Sequence, residues 1–111
     1  MTLDMSKKYT LGGNRTSAIN LLPDGKINLV QVGHTKICLV RLGEEVYAFD
    51  HLCPHQKASL NEGKINSLGE VICPLHHYRF ELKTGDVKSG SCPDLKTYQA
   101  EITDEGIEIY I

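Results

Sequence analysis

The sequence predicts a small all-β protein, a sandwich or barrel, and three observations support this. Ten glycines among 111 residues indicate frequent turns. Short apolar runs rich in β-branched side chains recur between these turns. No apolar pattern with a helical period continues over about three turns. Because a chain of this length suits one domain, residues 1–111 are expected to form a single unit.

The predicted strands begin near position 27 and continue to the end of the chain. Residues 27–32 and 36–42 are rich in β-branched side chains and leucine, which is typical of strands. Turn-forming residues such as Pro23-Asp24-Gly25 and Thr84-Gly85-Asp86 separate the apolar runs. The other predicted strands span residues 46–49, 70–72, 78–82, 98–103 and 107–111, and the last two form a hairpin around Asp104-Glu105-Gly106.

Two parts of the chain lack a strand pattern. Residues 1–20 are polar, and the sequence leaves open whether they are loosely ordered or form an edge strand. Residues 50–69 carry loop-forming residues with one apolar anchor, Leu60. We therefore expect loops at residues 50–60 and 73–78, inserted between strands of a rigid scaffold that can position functional side chains.

The charge balance and the N-terminus exclude several classes of protein. Twelve Lys and Arg against 14 Asp and Glu give a formal net charge of −2, which argues against a nucleic-acid surface. The N-terminal residues contain no apolar signal segment, and no run of about 18 apolar residues follows. A soluble, cytoplasmic protein without membrane contact is expected.

Two cysteines stand beside histidines at short spacing. Cys53-Pro54-His55 and Cys73-Pro74-Leu75-His76 each supply one thiolate and one imidazole, and 17 residues, 56–72, separate them. Each proline stiffens its segment. The four cysteines are not expected to form disulfides, because the cytosol keeps thiols reduced. A Cys2His2 set also suits zinc, but this spacing is unlike that of the usual zinc fingers.

The pattern C-x-H-x17-C-x-x-H resembles the motif of the Rieske iron–sulfur family, and so do the residues around it. Matching context lies at Ala48-Phe49-Asp50, Glu62-Gly63, Phe80 and Thr84-Gly85, and the resemblance runs from about Gly25 to the end. It implies a Rieske-type β-sandwich with two cluster-binding loops and one [2Fe–2S] cluster per chain. One iron would be held by Cys53 and Cys73 and the other by His55 and His76, the asymmetry typical of Rieske centres.

The resemblance also implies a reduction potential near the bottom of the Rieske range. Where respiratory Rieske proteins have two additional, disulfide-forming cysteines, this chain has Ala58 and Leu75. Two positions at which those proteins place hydroxyl groups that hydrogen-bond to the cluster are occupied here by Tyr78 and Phe80. Phe80 cannot donate a hydrogen bond, and the phenol of Tyr78 would have to reach the cluster by another route. Because fewer donors stabilise the reduced cluster less, we expect the low-potential, ferredoxin type.

Several further residues near the motif call for an interpretation. Lys57 and His77 stand where the family usually has glycine, so a positive φ at either position would strain the backbone. Cys92 lies in a loop that covers the cluster in the family, and it is interpreted as a thiol that is not a ligand. Cys38 is expected in the core, His34 on the surface, and His51 and His77 beside the ligands rather than among them.

The resemblance implies a soluble one-electron carrier and not an enzyme. It would take electrons from a flavin-containing, NAD(P)H-dependent reductase and pass them to a terminal oxygenase, diffusing as a monomer. A small Rieske-like subunit of assimilatory nitrite reductase, or of another oxidoreductase complex, is the alternative. A structural zinc module is a more distant one.

Overall fold

Two antiparallel sheets make up most of the computed structural model, which describes residues 7–111. The first six residues lie outside the described part, so the expectation for residues 1–20 is tested there only in part. The strands are β1 (Lys8–Leu11), β2 (Ile27–Val32), β3 (Thr35–Leu42), β4 (Glu45–Asp50), β5 (Lys64–Ile65), β6 (Glu70–Ile72), β7 (Arg79–Glu81), β8 (Val87–Ser89), β9 (Thr97–Thr103) and β10 (Gly106–Tyr110).

The larger sheet has six strands in the order β1-β10-β9-β4-β3-β2, and it is buried on both faces at its centre. Successive β3 side chains point to opposite faces, as in any strand. Ile37 and Leu39 enter one apolar core, whereas Cys38 and Val40 enter a second. Burial raises the pKa of the Cys38 thiol to about 12, and this buried cysteine is a core residue as expected.

A short helix, α1 (Arg15–Leu21), closes the first core from outside the six-stranded sheet. Asn14 caps it, its side-chain Oδ1 accepting a hydrogen bond of 2.8 Å from the Ser17 amide. Ala18 is fully buried, and the helix packs against β10 and β9. Among the described residues, no helix has the length and apolar character that crossing a bilayer requires.

The smaller sheet has the order β5-β6-β7-β8 and builds the second core against β3 and β4. The second core contains the largest buried aromatic side chains, Phe49 and Phe80, and also Cys53 and Cys73. The chain enters the first of two loops from β4 and the second from β6. Both candidate cysteines therefore lie where a strand ends against the second core.

The predicted all-β architecture and strands are confirmed, and no strand end differs from its predicted position by more than one residue. The sequence analysis missed α1, β5 and β8, whereas β1 is an edge strand within residues 1–20, one of the two alternatives that the sequence left open. Each is short: α1 has seven residues, which is below the length at which an apolar period is visible, and β5 has two. β8 pairs with β7 across a register shift at Arg79 and Phe80, so its side chains do not follow a regular alternation.

Gly85 offers a direct test of how the smaller sheet is joined to the loop before β9. Its φ is +82°, its carbonyl accepts a hydrogen bond from the Leu95 amide, and an added Cβ would collide with the Leu95 carbonyl oxygen. We expect Gly85→Ala to lower the free energy of unfolding by about 3 kcal/mol, since it combines backbone strain with a backbone clash. Urea unfolding followed by circular dichroism measures this.

Gly69→Ala is the matched control for Gly85→Ala. Gly69 has a similar φ of +76°, but an added Cβ there meets nothing within 4 Å. Gly69→Ala should lower the free energy of unfolding by about 1 kcal/mol, because it introduces backbone strain without a clash. Equal losses for the two variants would show that the contact with Leu95 is unimportant.

Candidate metal centre

Two loops of similar construction carry the candidate ligands. In the first site loop (residues 51–59), the Cys53 amide donates to the Ala58 carbonyl at 2.8 Å. In the second site loop (residues 73–78), the Cys73 amide donates to the Tyr78 carbonyl at 2.8 Å. Both hydrogen bonds join a cysteine to the residue five positions later, so each loop closes on itself at its cysteine.

The residue four positions after each cysteine has a left-handed backbone. Lys57 has a φ of +61° and His77 a φ of +58°, and His76 is also left-handed at +66°. L-residues avoid this region, at a cost of about 1 kcal/mol each. The strain expected at Lys57 and His77 is therefore present, and it has the same origin in both loops.

The loops bring the candidate donor atoms together at one end of the molecule. Cys53 Sγ lies 2.8 Å from His55 Nδ1, and the ligand atoms of Cys53, His55 and Cys73 all lie within 4.8 Å of one another. His76 reaches the group from the second loop, with its Nδ1 at 3.3 Å from His55 Nε2. All four residues predicted from the sequence thus converge, His76 through its contact with His55.

The four residues differ sharply in exposure. Cys53 and Cys73 are fully buried in the second core, whereas His55 is half-buried and His76 is exposed. Burial raises the pKa of the Cys73 thiol to about 11, so a metal must displace the thiol proton to bind there. Two inner sulfurs and two outer imidazoles suit a [2Fe–2S] cluster with one sulfur-bound and one imidazole-bound iron. The donor chemistry therefore fits that group.

Polar contacts hold the base of each loop. Beside the first site loop, the Tyr98 hydroxyl donates to Asp50 Oδ1 at 2.6 Å, and burial followed by this contact raises the pKa of Tyr98 well above its usual range. Beside the second, the buried Glu70 carboxylate accepts hydrogen bonds from Arg79 at 3.0 Å and from Asn66 at 2.8 Å. The sequence analysis missed both contacts. Tyr98 and Asp50 lie far apart in sequence, and Glu70 and Arg79 look like ordinary surface charges.

A stacked pair that the sequence analysis missed supports His55. The rings of Tyr78 and His55 are 4.0 Å apart between centroids and 16° from parallel. Gly90 also lies against the Tyr78 ring, and an added Cβ at Gly90 would collide with the ring carbons. The only sign of this stack in the sequence was Tyr78 itself, an aromatic residue at one of the two positions where respiratory Rieske proteins place a hydroxyl donor. Phe80, at the second such position, is fully buried in the core.

The remaining candidates lie around the donors. Cys92 is half-buried and packs against the core cluster that contains Cys53 and Cys73. His77 and His34 are exposed. His51 is half-buried at the start of the first site loop, where its carbonyl accepts a hydrogen bond from the Leu60 amide.

Fold and site together define a Rieske-type iron–sulfur domain. The family model described as the Rieske [2Fe-2S] domain matches residues 15–99, and the chain belongs to this family. Its cofactor is accordingly a [2Fe–2S] cluster, which confirms the prediction made from the motif.

Curated relatives include ferredoxin components of oxygenase systems. The chain is 35% identical over 68 residues to that of the Xanthobacter autotrophicus alkene monooxygenase system, covering 61% of this chain and 56% of the relative. It is 37% identical over 84 residues to the ferredoxin component of a Ralstonia naphthalene 1,2-dioxygenase/salicylate 5-hydroxylase system, and the match covers 73% of this chain and 78% of the relative. The match thus spans little more than half of the first relative.

Solved structures with the same fold include two dioxygenase components. The ferredoxin of carbazole 1,9a-dioxygenase from Nocardioides aromaticivorans has a TM-score of 0.77 at 29% identity, covering 83% of this chain and 90% of its own. A chain from a complex of oxygenase and ferredoxin in carbazole 1,9a-dioxygenase has a TM-score of 0.75 at 26% identity, covering 95% and 92%. A Mycobacterium tuberculosis protein described as a nitrite reductase small subunit reaches 0.82 at 23% identity, covering 97% of both chains, and shows the fold alone.

The Tyr78–His55 stack leads to a prediction about retention of the cluster. Tyr78→Leu removes the stacked ring, so we expect faster iron loss to a chelator and an unfolding free energy lower by about 1 kcal/mol. Tyr78→Phe keeps the ring and should behave like the wild type in both assays. Chelator competition followed by visible absorbance measures the iron loss, and equal behaviour of the two variants would contradict a role for stacking.

Proposed function

We propose that this protein is a one-electron carrier whose [2Fe–2S] cluster is held by Cys53, His55, Cys73 and His76. It takes electrons from an NAD(P)H-dependent flavoprotein reductase and passes them to a terminal oxygenase. The observation that carries the proposal is the burial gradient across the site, from fully buried sulfurs to an exposed imidazole. A carrier needs this arrangement because it must protect its redox group and still come close to two partners.

The residues of the chain divide this work between them. The bound cluster supplies reversible one-electron chemistry. Cys53 and Cys73 hold their sulfurs in an apolar core that excludes water. His55 and His76 lie between that core and solvent, so the imidazole edge of His76 is the shortest route for an electron to a partner. The closed loops keep these positions rigid, which favours transfer without large rearrangement.

Several observations support the choice of partners. The two curated relatives described above are components of oxygenase systems, and one solved structure is a complex between a ferredoxin and its oxygenase. We further propose that residues 1–111 form one domain and that the carrier works as a monomer in the cytoplasm.

A small subunit of a nitrite reductase remains the second candidate, supported by the likeness in fold to the Mycobacterium tuberculosis protein. A subunit would co-purify tightly with a large enzyme, whereas a carrier docks transiently. Gel filtration of the protein expressed in its native host separates the two. A stable large complex would favour the subunit.

The ligand assignment predicts which substitutions abolish the cluster. The anaerobically purified, dithionite-reduced protein should give a rhombic [2Fe–2S] EPR signal of low average g, with two irons and two sulfides per chain. Cys53→Ser and His76→Ala should lose this signal. One zinc per chain, and no signal after reconstitution, would contradict the proposal.

Cys92→Ala is the matched control for the ligand variants. Cys92 packs beside the two proposed cysteine ligands but is half-buried. We expect its iron content and EPR signal to equal those of the wild type. Loss of the cluster in this variant would show that the four-ligand assignment is wrong.

The reduction potential should lie near −150 mV, at the low end of the Rieske range. The fully buried Phe80 places no hydroxyl in the core beside Cys53 and Cys73. Protein-film voltammetry measures the midpoint, and a value well above zero would contradict this prediction. Phe80→Tyr adds a donor to that core and should raise the potential, whereas Phe80→Leu should not.

A further inference from the structure

The exposed rim of the site is asymmetric in charge. Three segments surround the donors: the two site loops and a third site loop (residues 89–93), which contains Gly90 and Cys92. With histidines neutral, Lys57 is the one side chain in these segments that carries a full charge. The chain as a whole has a net charge of −2. An acidic protein therefore presents a positive charge where electrons are expected to leave.

Lys57 holds this place at an energetic cost. Its φ of +61° is in the region that favours glycine, and its amide donates to the Cys53 carbonyl at 2.9 Å, so the loop cannot relax locally. Its side chain is exposed, and it makes no ion pair among the described residues. Strain of this kind at a site is a reason to look for a function of the side chain.

Two further lysines strengthen the positive charge beside Lys57. Lys36 and Lys96 line the same surface cavity of about 360 Å³ next to the first site loop. The two carboxylates in its lining, Asp50 and Asp94, each accept an internal hydrogen bond, from the Tyr98 hydroxyl and the Val87 amide respectively. The ammonium groups thus outnumber the carboxylates, and both carboxylates are held by the protein itself.

Apolar side chains complete the rim. Leu52 is 41% exposed in the first site loop and Leu75 is 38% exposed in the second, next to the exposed imidazole of His76. Exposed leucines close to a functional group are typical of the centre of a docking surface, with charge at its edge.

We propose that Leu52, Leu75 and His76, with Lys57 at their edge, form the docking surface for an acidic face of the terminal oxygenase. The inference rests on the proposed function and adds the sign of charge that the partner presents. Electrostatic attraction at such an edge raises the association rate and falls with salt. If the net negative charge of the whole chain controlled association with an acidic partner, the rate would instead rise with salt. The salt dependence therefore distinguishes local attraction at Lys57 from the effect of the net charge.

Two small oxidants, one anionic and one cationic, can be used to measure the sign of the charge at this surface. In stopped-flow experiments, the dithionite-reduced protein transfers one electron to tris(oxalato)cobaltate(III), charge −3, or to hexaamminecobalt(III), charge +3. Each cobalt(III) becomes cobalt(II), and the protein returns to its oxidised form. We expect the rate with the anion to fall as ionic strength rises, because the local charge is positive, and the rate with the cation to rise.

Charge variants then assign the effect to Lys57. Lys57→Asn removes the charge with a residue that tolerates a positive φ, and it should slow the anionic oxidant at least about threefold at low salt. Lys57→Arg should retain the wild-type rate. Lys83→Asn removes an exposed charge beyond the far end of β7, away from the site loops, and should leave the rate nearly unchanged.

The outcomes separate the two proposals. A wild-type protein without a [2Fe–2S] EPR signal would overturn the proposed function and this inference together. A normal signal with an anion rate that rises with salt, or a Lys57→Asn rate equal to that of the wild type, would overturn the inference alone. If Lys57→Asn loses its cluster, Lys57→Gly removes the same charge with the residue that the backbone favours, and the same threefold loss is expected.

Discussion

The closing hydrogen bond of each site loop is the constraint on which the rest of the site depends. It joins the cysteine amide to a carbonyl five residues later, so the loop turns back at once and directs its cysteine into the second core. The histidine of the same loop lies only two or three positions after the buried cysteine, so it is left between the core and the surface. One backbone contact, used twice, thus places sulfur inside and imidazole outside.

This constraint has a conformational cost that the surrounding structure must offset. Three residues without the freedom of glycine adopt a left-handed backbone within the two site loops. The polar contacts at Asp50 and Glu70 and the packing of Phe49 and Phe80 offset that cost from outside the loops. Because a [2Fe–2S] cluster binds only the folded arrangement, its binding free energy adds to the stability of the same loops. Scaffold and cofactor therefore stabilise one another.

The residues that could be predicted from the sequence are those with strong local patterns. Strands β2, β3, β9 and β10 carry regular apolar runs, and the Cys–His pairs stand at a spacing that chance rarely produces. The stack of Tyr78 on His55 and the bond from Tyr98 to Asp50 were beyond reach, because each depends on how distant segments meet. The helix and the short strands escaped for a different reason, since tertiary packing stabilises them more than their own residues do.

Lys57 shows how a departure from a family pattern can be informative once the backbone is known. From the sequence alone, a lysine in place of glycine indicates only that the local geometry is in doubt. The φ of +61° shows that the geometry is kept and that the lysine is strained in it. His77 occupies the equivalent position of the other loop at nearly the same φ, so tolerance of a side chain is a property of both loops. Since a glycine would be more stable at either position, the charge of Lys57 at the rim is the feature that needs a functional explanation.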